Sequence, residues 1–191
     1  MTTWAVIPVK APAACKTRLA PALDAAERQA LAASMLAQVA AAAGSAASVD
    51  EVLILGPSRH GLAGSIRLLA DRGGGLNAAL SAALAEALAA EVGRLIVLAG
   101  DLPHLRSADV QALAELAPEE LGLAPDRRGV GTNALSLPLP AAADFRFQYG
   151  VASFAPHLAE AARLGFAPRT IRSGGLALDI DAPEDLAVLE G

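Results

Sequence analysis

Short apolar runs alternate along this chain with longer stretches of helical periodicity. Trp4 to Val9 is almost wholly apolar, as expected of a strand buried on both faces. Val52-Leu53-Ile54-Leu55 is a second run, stopped by Gly56-Pro57, and Leu68 to Ala70 predicts a short third strand. Arg94 to Ala99 reads as the central strand. Leu121 to Ala124, Ala134 to Leu137 and Arg169 to Ile171 complete the strand set. Between them, Asp24 with Glu27 predicts a capping box for a helix over Ala25 to Ala43, with Gly44 as its C-cap. Leu31, Met35, Leu36 and Val39 give that helix its apolar face, and Leu76, Leu80, Leu84 and Leu88 do the same for a helix from Leu76 to Glu91. Ser107 is expected to cap a helix reaching Ala117. Phe154 to Leu164 predicts another, closed by Gly165, and Asp181 is expected to cap the last. This alternation predicts an α/β fold with a mainly parallel central sheet flanked by helices. In such sheets, ligands bind beyond the carboxyl ends of the strands.

Two apolar runs end in acid. Arg94 to Ala99 leads through Gly100 to Asp101-Leu102-Pro103. Leu176-Ala177-Leu178 leads to Asp179-Ile180-Asp181. In an extended strand Asp179 and Asp181 share a face. If the two segments meet, Asp101, Asp179 and Asp181 make a hard-oxygen cluster suited to Mg2+, which takes one or two carboxylates plus substrate phosphates. The ordinary readings are a turn-forming Asp101 and an N-capping Asp181. Asp179, between Leu178 and Ile180, has no such reading, and a buried carboxylate needs a partner or a metal.

Composition narrows the setting. The 191 residues suffice for one domain with a core. No apolar run approaches a membrane span and no signal-peptide pattern opens the chain. Cys15 is the single cysteine, which excludes a disulfide framework and a Cys-rich zinc site and fits a cytoplasmic protein. A net charge of −5 argues against general nucleic-acid binding, so an anionic substrate needs a local basic patch. Lys10, Lys16 and Arg18 supply one in the loop after the first strand, where they would clamp phosphates. That loop carries neither phosphate-binding nor dinucleotide glycine motif.

Three glycine-bearing segments add candidates. Gly73-Gly74-Gly75-Leu76-Asn77 stands at a helix start, where bare backbone can approach a base or phosphate and Asn77 can offer a donor and an acceptor to a purine edge. Asp126-Arg127-Arg128-Gly129-Val130-Gly131-Thr132-Asn133 is either a plain hairpin turn or an anion cradle using backbone N–H groups and the Thr132 hydroxyl. Gly150 and Ser153 precede a helix, with Ser153 either an N-cap or an anion contact. His60, His104 and His157 show no metal spacing and read as core or surface residues.

Taken together, the segments resemble the 2-phospho-L-lactate guanylyltransferases of coenzyme F-420 biosynthesis and their phosphoenolpyruvate and 3-phosphoglycerate relatives. The matching pieces are Ile7-Pro8-Val9-Lys10 with Lys16-Thr17-Arg18-Leu19-Ala20, Gly75-Leu76-Asn77, Asp101-Leu102-Pro103, Ala124-Pro125-Asp126-Arg127 with Gly131-Thr132-Asn133-Ala134-Leu135, Gly150 with Ser153-Phe154, and Leu178 through Leu186. The resemblance implies a nucleotide-diphospho-sugar-transferase-like (Rossmann-like) fold, with residues 1–191 as a single nucleotidyltransferase domain. It implies transfer of GMP from GTP to a small phospho-hydroxy acid with release of pyrophosphate, and a homodimer. It places magnesium on Asp101, Asp179 and Asp181, the acceptor on Thr132, Gly150 and Ser153, and Lys10 and Lys16 near the phosphates; the residue reading adds Gly74, Gly75 and Asn77 for the nucleotide and Arg18 for the leaving pyrophosphate. Two departures stand out: Gly100 where the family often has alanine, and Ala152 where it often has glycine. Molybdopterin- and sugar-type nucleotidyltransferases of the same fold usually open with a glycine-rich loop, which Ala11 to Ala20 lacks. A glycosyltransferase-like relative shares Lys16-Thr17-Arg18-Leu19-Ala20-Pro21 but has a different segment at Gly131 to Ala134. A non-catalytic nucleotide-binding subunit would have no need of the three aspartates.

Overall fold

The structure is a computed structural model that describes residues 1–11, 16–71 and 73–190. Cys15 therefore lies outside the described residues. Among these, seven strands build one sheet: β1 (Thr3–Pro8), β2 (Glu51–Gly56), β3 (Arg67–Ala70), β4 (Arg94–Leu98), β5 (Gly122–Pro125), β6 (Thr132–Pro138) and β7 (Arg169–Thr170). Their order is β3-β2-β1-β4-β6-β5-β7. All run parallel except β6, which is antiparallel to both neighbours.

Strict alternation divides β1, β2 and β4 between two cores. Trp4, Val6, Leu53, Leu55, Leu95 and Val97 face α2 (Leu76–Ala89) and α4 (Phe154–Arg163). Ala5, Ile7, Ile54, Ile96 and Leu98 face α1 (Ala25–Gly44) and α3 (Ser107–Ala114). Both faces of the central strands are therefore covered, as their near-continuous apolar sequence requires.

The predicted capping box forms: Asp24 Oδ1 accepts from Glu27 N–H, and Glu27 Oε2 accepts from Asp24 N–H. Gly165 stands just past the end of α4 in the left-handed region (φ 86°), as a closing glycine does. Three expectations change. Gly44 is the last residue of α1, and Ser45 follows it as the cap. Ser107 is the first residue of α3, which ends at Ala114; Asp109 satisfies the N–H of Arg106 instead. The run before Asp179 is not a strand. Ser173 Oγ accepts from Leu176 N–H and starts a single helical turn, α5 (Gly174–Ala177), which seats Leu176 in the core. The chain then continues without regular structure through Asp181 to a 3-10 helix, Pro183–Glu190. Among the described residues no helix is long and apolar enough to cross a membrane.

Candidate functional site

The reversed strand makes the site. β1 and β4 end on the same side of the sheet, and β6 begins there, because Leu98 pairs with Ala134 and Ala99 N–H donates to Asn133 O at 2.8 Å. The start of β6 thus lies beside the exit of β4. A cleft of about 710 Å³ opens at this edge, within the size range of small-ligand pockets. Its walls are the Pro8–Lys10 exit of β1, Lys16–Arg18, Gly100 and Asp101 after β4, Thr132 and Asn133 at the start of β6, Tyr149, Gly150 and Ser153 before α4, and Asp179 with Asp181.

A small satellite core explains how residues far apart in sequence meet here. Leu19, Met35 and Ile180 are all buried against one another. Leu19 ends the 3-10 turn Thr17–Leu19, so its anchoring holds Lys16 and Arg18 against the segment around Ile180. Ile180 buries itself between the two aspartates, and both of these turn into the cleft although the segment is not a strand. Lys16 Nζ makes ion pairs with Asp101 and, at 3.1 Å, with Asp181. Arg18 lies 3.8 Å from Asp181. Asp181 is not the cap of the last helix. Asp185, inside that helix, instead reaches back to accept from the N–H groups of Asp181 and Ala182 at 2.9 and 2.8 Å. This leaves the Asp181 carboxylate for Lys16.

The charges are crowded. Burial pulls the Lys16 ammonium down, but the charges and hydrogen bonds of Asp101 and Asp181 outweigh it and hold its pKa above the usual lysine value. Burial first, then the charge of Asp101, push the Asp179 carboxyl above the usual carboxylate range; a hydrogen bond from Asn133 opposes them only in part. A cation is thus already what lies between Asp101 and Asp181. Among the described residues no three acidic, histidine or cysteine side chains surround one point closely enough to hold a metal unaided. The donors are hard oxygens with unneutralised negative charge, which fits a magnesium-like ion that also takes ligands from its substrate.

The same cleft is lined by a pair of buried hydroxyls. Ser153 Oγ accepts from Thr132 N–H at 3.0 Å, and Thr132 Oγ1 lies 2.9 Å from His157 Nδ1. Ser153 makes no capping bond to α4. Asn133 donates to Leu176 O at 2.9 Å and to Asp179 Oδ1 at 3.3 Å, tying β6 to the acidic segment.

The predicted residues divide by position. Lys10, Lys16, Arg18, Asp101, Thr132, Gly150, Ser153, Asp179 and Asp181 all line the cleft. Gly74, Gly75 and Asn77 do not, although their neighbour Leu76 does. Gly75 has φ 85° and ψ 177°, a conformation open in practice only to glycine, as it enters α2. Instead of presenting its amide to the cleft, Asn77 spends it on the backbone of Tyr149, donating to its carbonyl at 2.9 Å and accepting from its N–H at 2.8 Å. Asn77 clips the wall of the cleft to α2.

Sequence reasoning passed over three other residues. His157 underlies Thr132. Tyr149 lines the cleft with a buried Oη that has no hydrogen-bond partner among the described residues, and its burial raises the phenol's pKa. His60 lines it too, with Nε2 equally unpartnered. Nothing local in the sequence marks these; only the fold brings them to the site.

Comparison with known proteins bears on this geometry. The chain matches the family model described as "Guanylyl transferase CofC like" over residues 3–190. It is 40% identical to the phosphoenolpyruvate guanylyltransferase of Sphaerobacter thermophilus, covering 100% of this chain and 94% of that one. It is 36% identical to the 3-phospho-D-glycerate guanylyltransferase of Phenylobacterium zucineum (95% and 86% covered) and 35% identical to the 2-phospho-L-lactate guanylyltransferase of Methanothermobacter thermautotrophicus (97% and 83%). In fold it is similar to a candidate nucleotide-diphospho-sugar transferase from Desulfovibrio desulfuricans G20, with a TM-score of 0.81 at 17% identity over 99% of this chain and 87% of that one. It is also similar to the manganese complex of Rv0371C from Mycobacterium tuberculosis H37Rv, with a TM-score of 0.63 at 19% identity over 98% and 97%. Matched over residues 3–190, with its aspartates and the buried Thr132 and Ser153 hydroxyls lining one cleft, the chain belongs to the CofC-like guanylyl transferase family and is a nucleotidyltransferase.

Proposed function

We propose that this protein transfers GMP from GTP to the phosphate of a small phospho-hydroxy acid, phosphoenolpyruvate first among them, in the making of coenzyme F-420. The observation that carries this reading is the presence of an aspartate–lysine cluster and two buried hydroxyls in a single cleft at the strand ends. The former suits a triphosphate, the latter a small anion. Phosphoenolpyruvate is preferred to 3-phosphoglycerate and 2-phospholactate because the relative named for it is the more similar.

An oxygen of the acceptor phosphate attacks the α-phosphorus of GTP, the α–β bridging bond breaks, and pyrophosphate leaves. A phosphate monoester is largely dianionic at neutral pH, with its second pKa near about 6, so the attack needs no general base. Catalysis is then positioning and neutralisation of charge. Lys10, Lys16 and Arg18 offset the charge of the triphosphate and of departing pyrophosphate. Thr132, Gly150 and Ser153 hold the acceptor with its phosphate towards the α-phosphorus. Asp101, Asp179 and Asp181 would hold a divalent ion, magnesium by the family resemblance, which would supply charge neutralisation and polarisation at the α-phosphate.

The test is pyrophosphate release from GTP and magnesium with each of the three phospho-acids in parallel. Release with phosphoenolpyruvate and little with the others is expected. No release with any of them, from protein that still binds GTP, would sink the reading.

A further inference from the structure

His157 is completely buried on the first turns of α4, and its two ring nitrogens have different duties. Gln148 N–H donates to Nε2 at 2.9 Å. A backbone N–H can only donate, so Nε2 must carry a lone pair. The proton of the neutral ring is therefore on Nδ1. Nδ1 lies 2.9 Å from Thr132 Oγ1, so the ring donates there and the threonine oxygen accepts. The ring is enclosed by Phe145, stacked at 5.9 Å, and by Tyr149, edge-on at 4.7 Å. Burial among these lowers its pKa to about 4, against a smaller opposing effect of Glu160, so the neutral form is the one present at pH 7.

The consequence falls on the hydroxyl. With one lone pair of Thr132 Oγ1 taken by the ring, its hydrogen remains to be donated, and Thr132 lines the cleft. Ser153 Oγ is in the same condition, since it accepts from Thr132 N–H. We infer that His157 is a positioning residue, which by holding the Nδ1–H tautomer fixes Thr132 as a hydrogen-bond donor to an anionic group of the acceptor. This rests on the acceptor reading above. It makes the hydroxyl pair selective for a carboxylate or phosphate oxygen over a neutral hydroxyl in the same place.

Two substitutions separate this role from simple packing. His157→Asn places an amide nitrogen near the Nδ1 position and retains the donor to Thr132, but leaves Gln148 N–H unpaired. His157→Gln places an amide oxygen near the Nε2 position, retains the anchor for Gln148 and loses the donor. The expected result is that His157→Gln raises the acceptor KM roughly tenfold or more, with the GTP KM unchanged, while His157→Asn stays near wild type. In a Thr132→Val background, His157→Gln should add nothing. Equal damage from both substitutions, a parallel rise in the GTP KM, or a full further effect in the Thr132→Val background would overturn the proposal. A measurement on the unmodified protein needs no variant to fold: the chain has three histidines, and 15N–1H correlation spectra report each tautomer. The Nδ1–H form at His157 supports the assignment and the Nε2–H form refutes it. Because the tautomer is read without turnover, its failure is distinct from a failure of the proposed activity, which the pyrophosphate assay reads.

Discussion

The two ends of β4 each carry a charged residue, and they treat it in opposite ways. At the amino end Arg94 is completely buried. Its guanidinium donates to the carbonyls of Leu116, Ala117 and Glu120 at 3.2, 2.7 and 3.1 Å and to Ser136 Oγ at 2.8 Å, and Ser136 passes a bond on to Leu113 O. At the carboxyl end Asp101 and Asp181 keep 24% and 51% of their side chains exposed, crowd Asp179, and share one lysine. Backbone conformation follows the same division. Of the four non-glycine residues with positive φ among the described residues, Lys16 and His60 line the cleft and Ala152 lies in the loop between Gly150 and Ser153, while Glu91 belongs to the other end. One end of the strand spends all but Arg94 Nε of its guanidinium on holding the sheet. The other leaves its polar groups under-compensated and somewhat strained, as a binding site requires.

The sharpest way to break this comparison is to exchange charge for shape at each end. Asp101→Asn keeps volume and is expected to lower turnover on the order of 10³-fold with no loss of thermal stability. Wild-type turnover would remove Asp101 from the chemistry, and unfolding would make the carboxyl end structural after all. Arg94→Met should do the reverse. It leaves the carbonyls of Leu116 and Glu120 without a donor, while Ala117 O keeps the N–H of Glu120 and Ser136 Oγ keeps its bond to Leu113 O, at a cost of about 2–5 kcal/mol, read from urea unfolding. Turnover per folded molecule should not change. A small stability loss would mean that the amino-end network is relaxed or hydrated and the contrast false.

How much of this contrast was legible in the sequence differs between the two ends. Strand positions read well, because apolar runs buried on both faces leave little ambiguity, and the Asp24–Glu27 box carries its own local chemistry. Asp101 stood out by following the central strand. The roles of Arg94 and Asn77 were hidden, since each is defined by partners from about 22 to 72 residues away in sequence. The reversal of β6 was hidden too, as no periodicity encodes strand direction, and it is that reversal which brings Thr132 to the cleft. Asp181 misled by pattern: Asp-x-x-Glu is a fair helix start, yet Asp185 proved the better placed acceptor. Asp179 was read correctly as a carboxylate needing a partner, but its approach is an irregular segment pinned by Ile180 rather than a strand.

A smaller effect sharpens the carboxyl end itself. If Asp179 is crowded by like charge, Asp179→Asn in metal-free buffer should raise the melting temperature, by about 2–4 °C per kcal/mol of relieved repulsion. Asn133 keeps an acceptor in that variant. Addition of magnesium should then stabilise the wild type more than the variant, because an ion bound to the folded state alone shifts unfolding by mass action. Equal magnesium shifts in the two proteins would take Asp179 out of the ion's coordination.

The least effect concerns Ala152, where the family resemblance leads one to expect glycine. Its φ of 55° lies in the left-handed region, which disfavours any residue with a Cβ by about 1–2 kcal/mol. Glycine would remove that strain, while its greater freedom in the unfolded chain offsets about 0.4–1 kcal/mol of the gain. Ala152→Gly is therefore expected to stabilise the protein by several tenths of a kcal/mol and leave turnover in place. The informative reading is the acceptor KM. If it stays fixed, the strain at Ala152 is incidental to Gly150 and Ser153 on either side. If it rises while stability improves, the alanine stiffens the loop that presents Ser153, and the strain at this end of the sheet contributes to binding. A variant less stable than wild type would show that positive φ is no burden at this position, and the conformational half of the contrast between the two ends would fail with it.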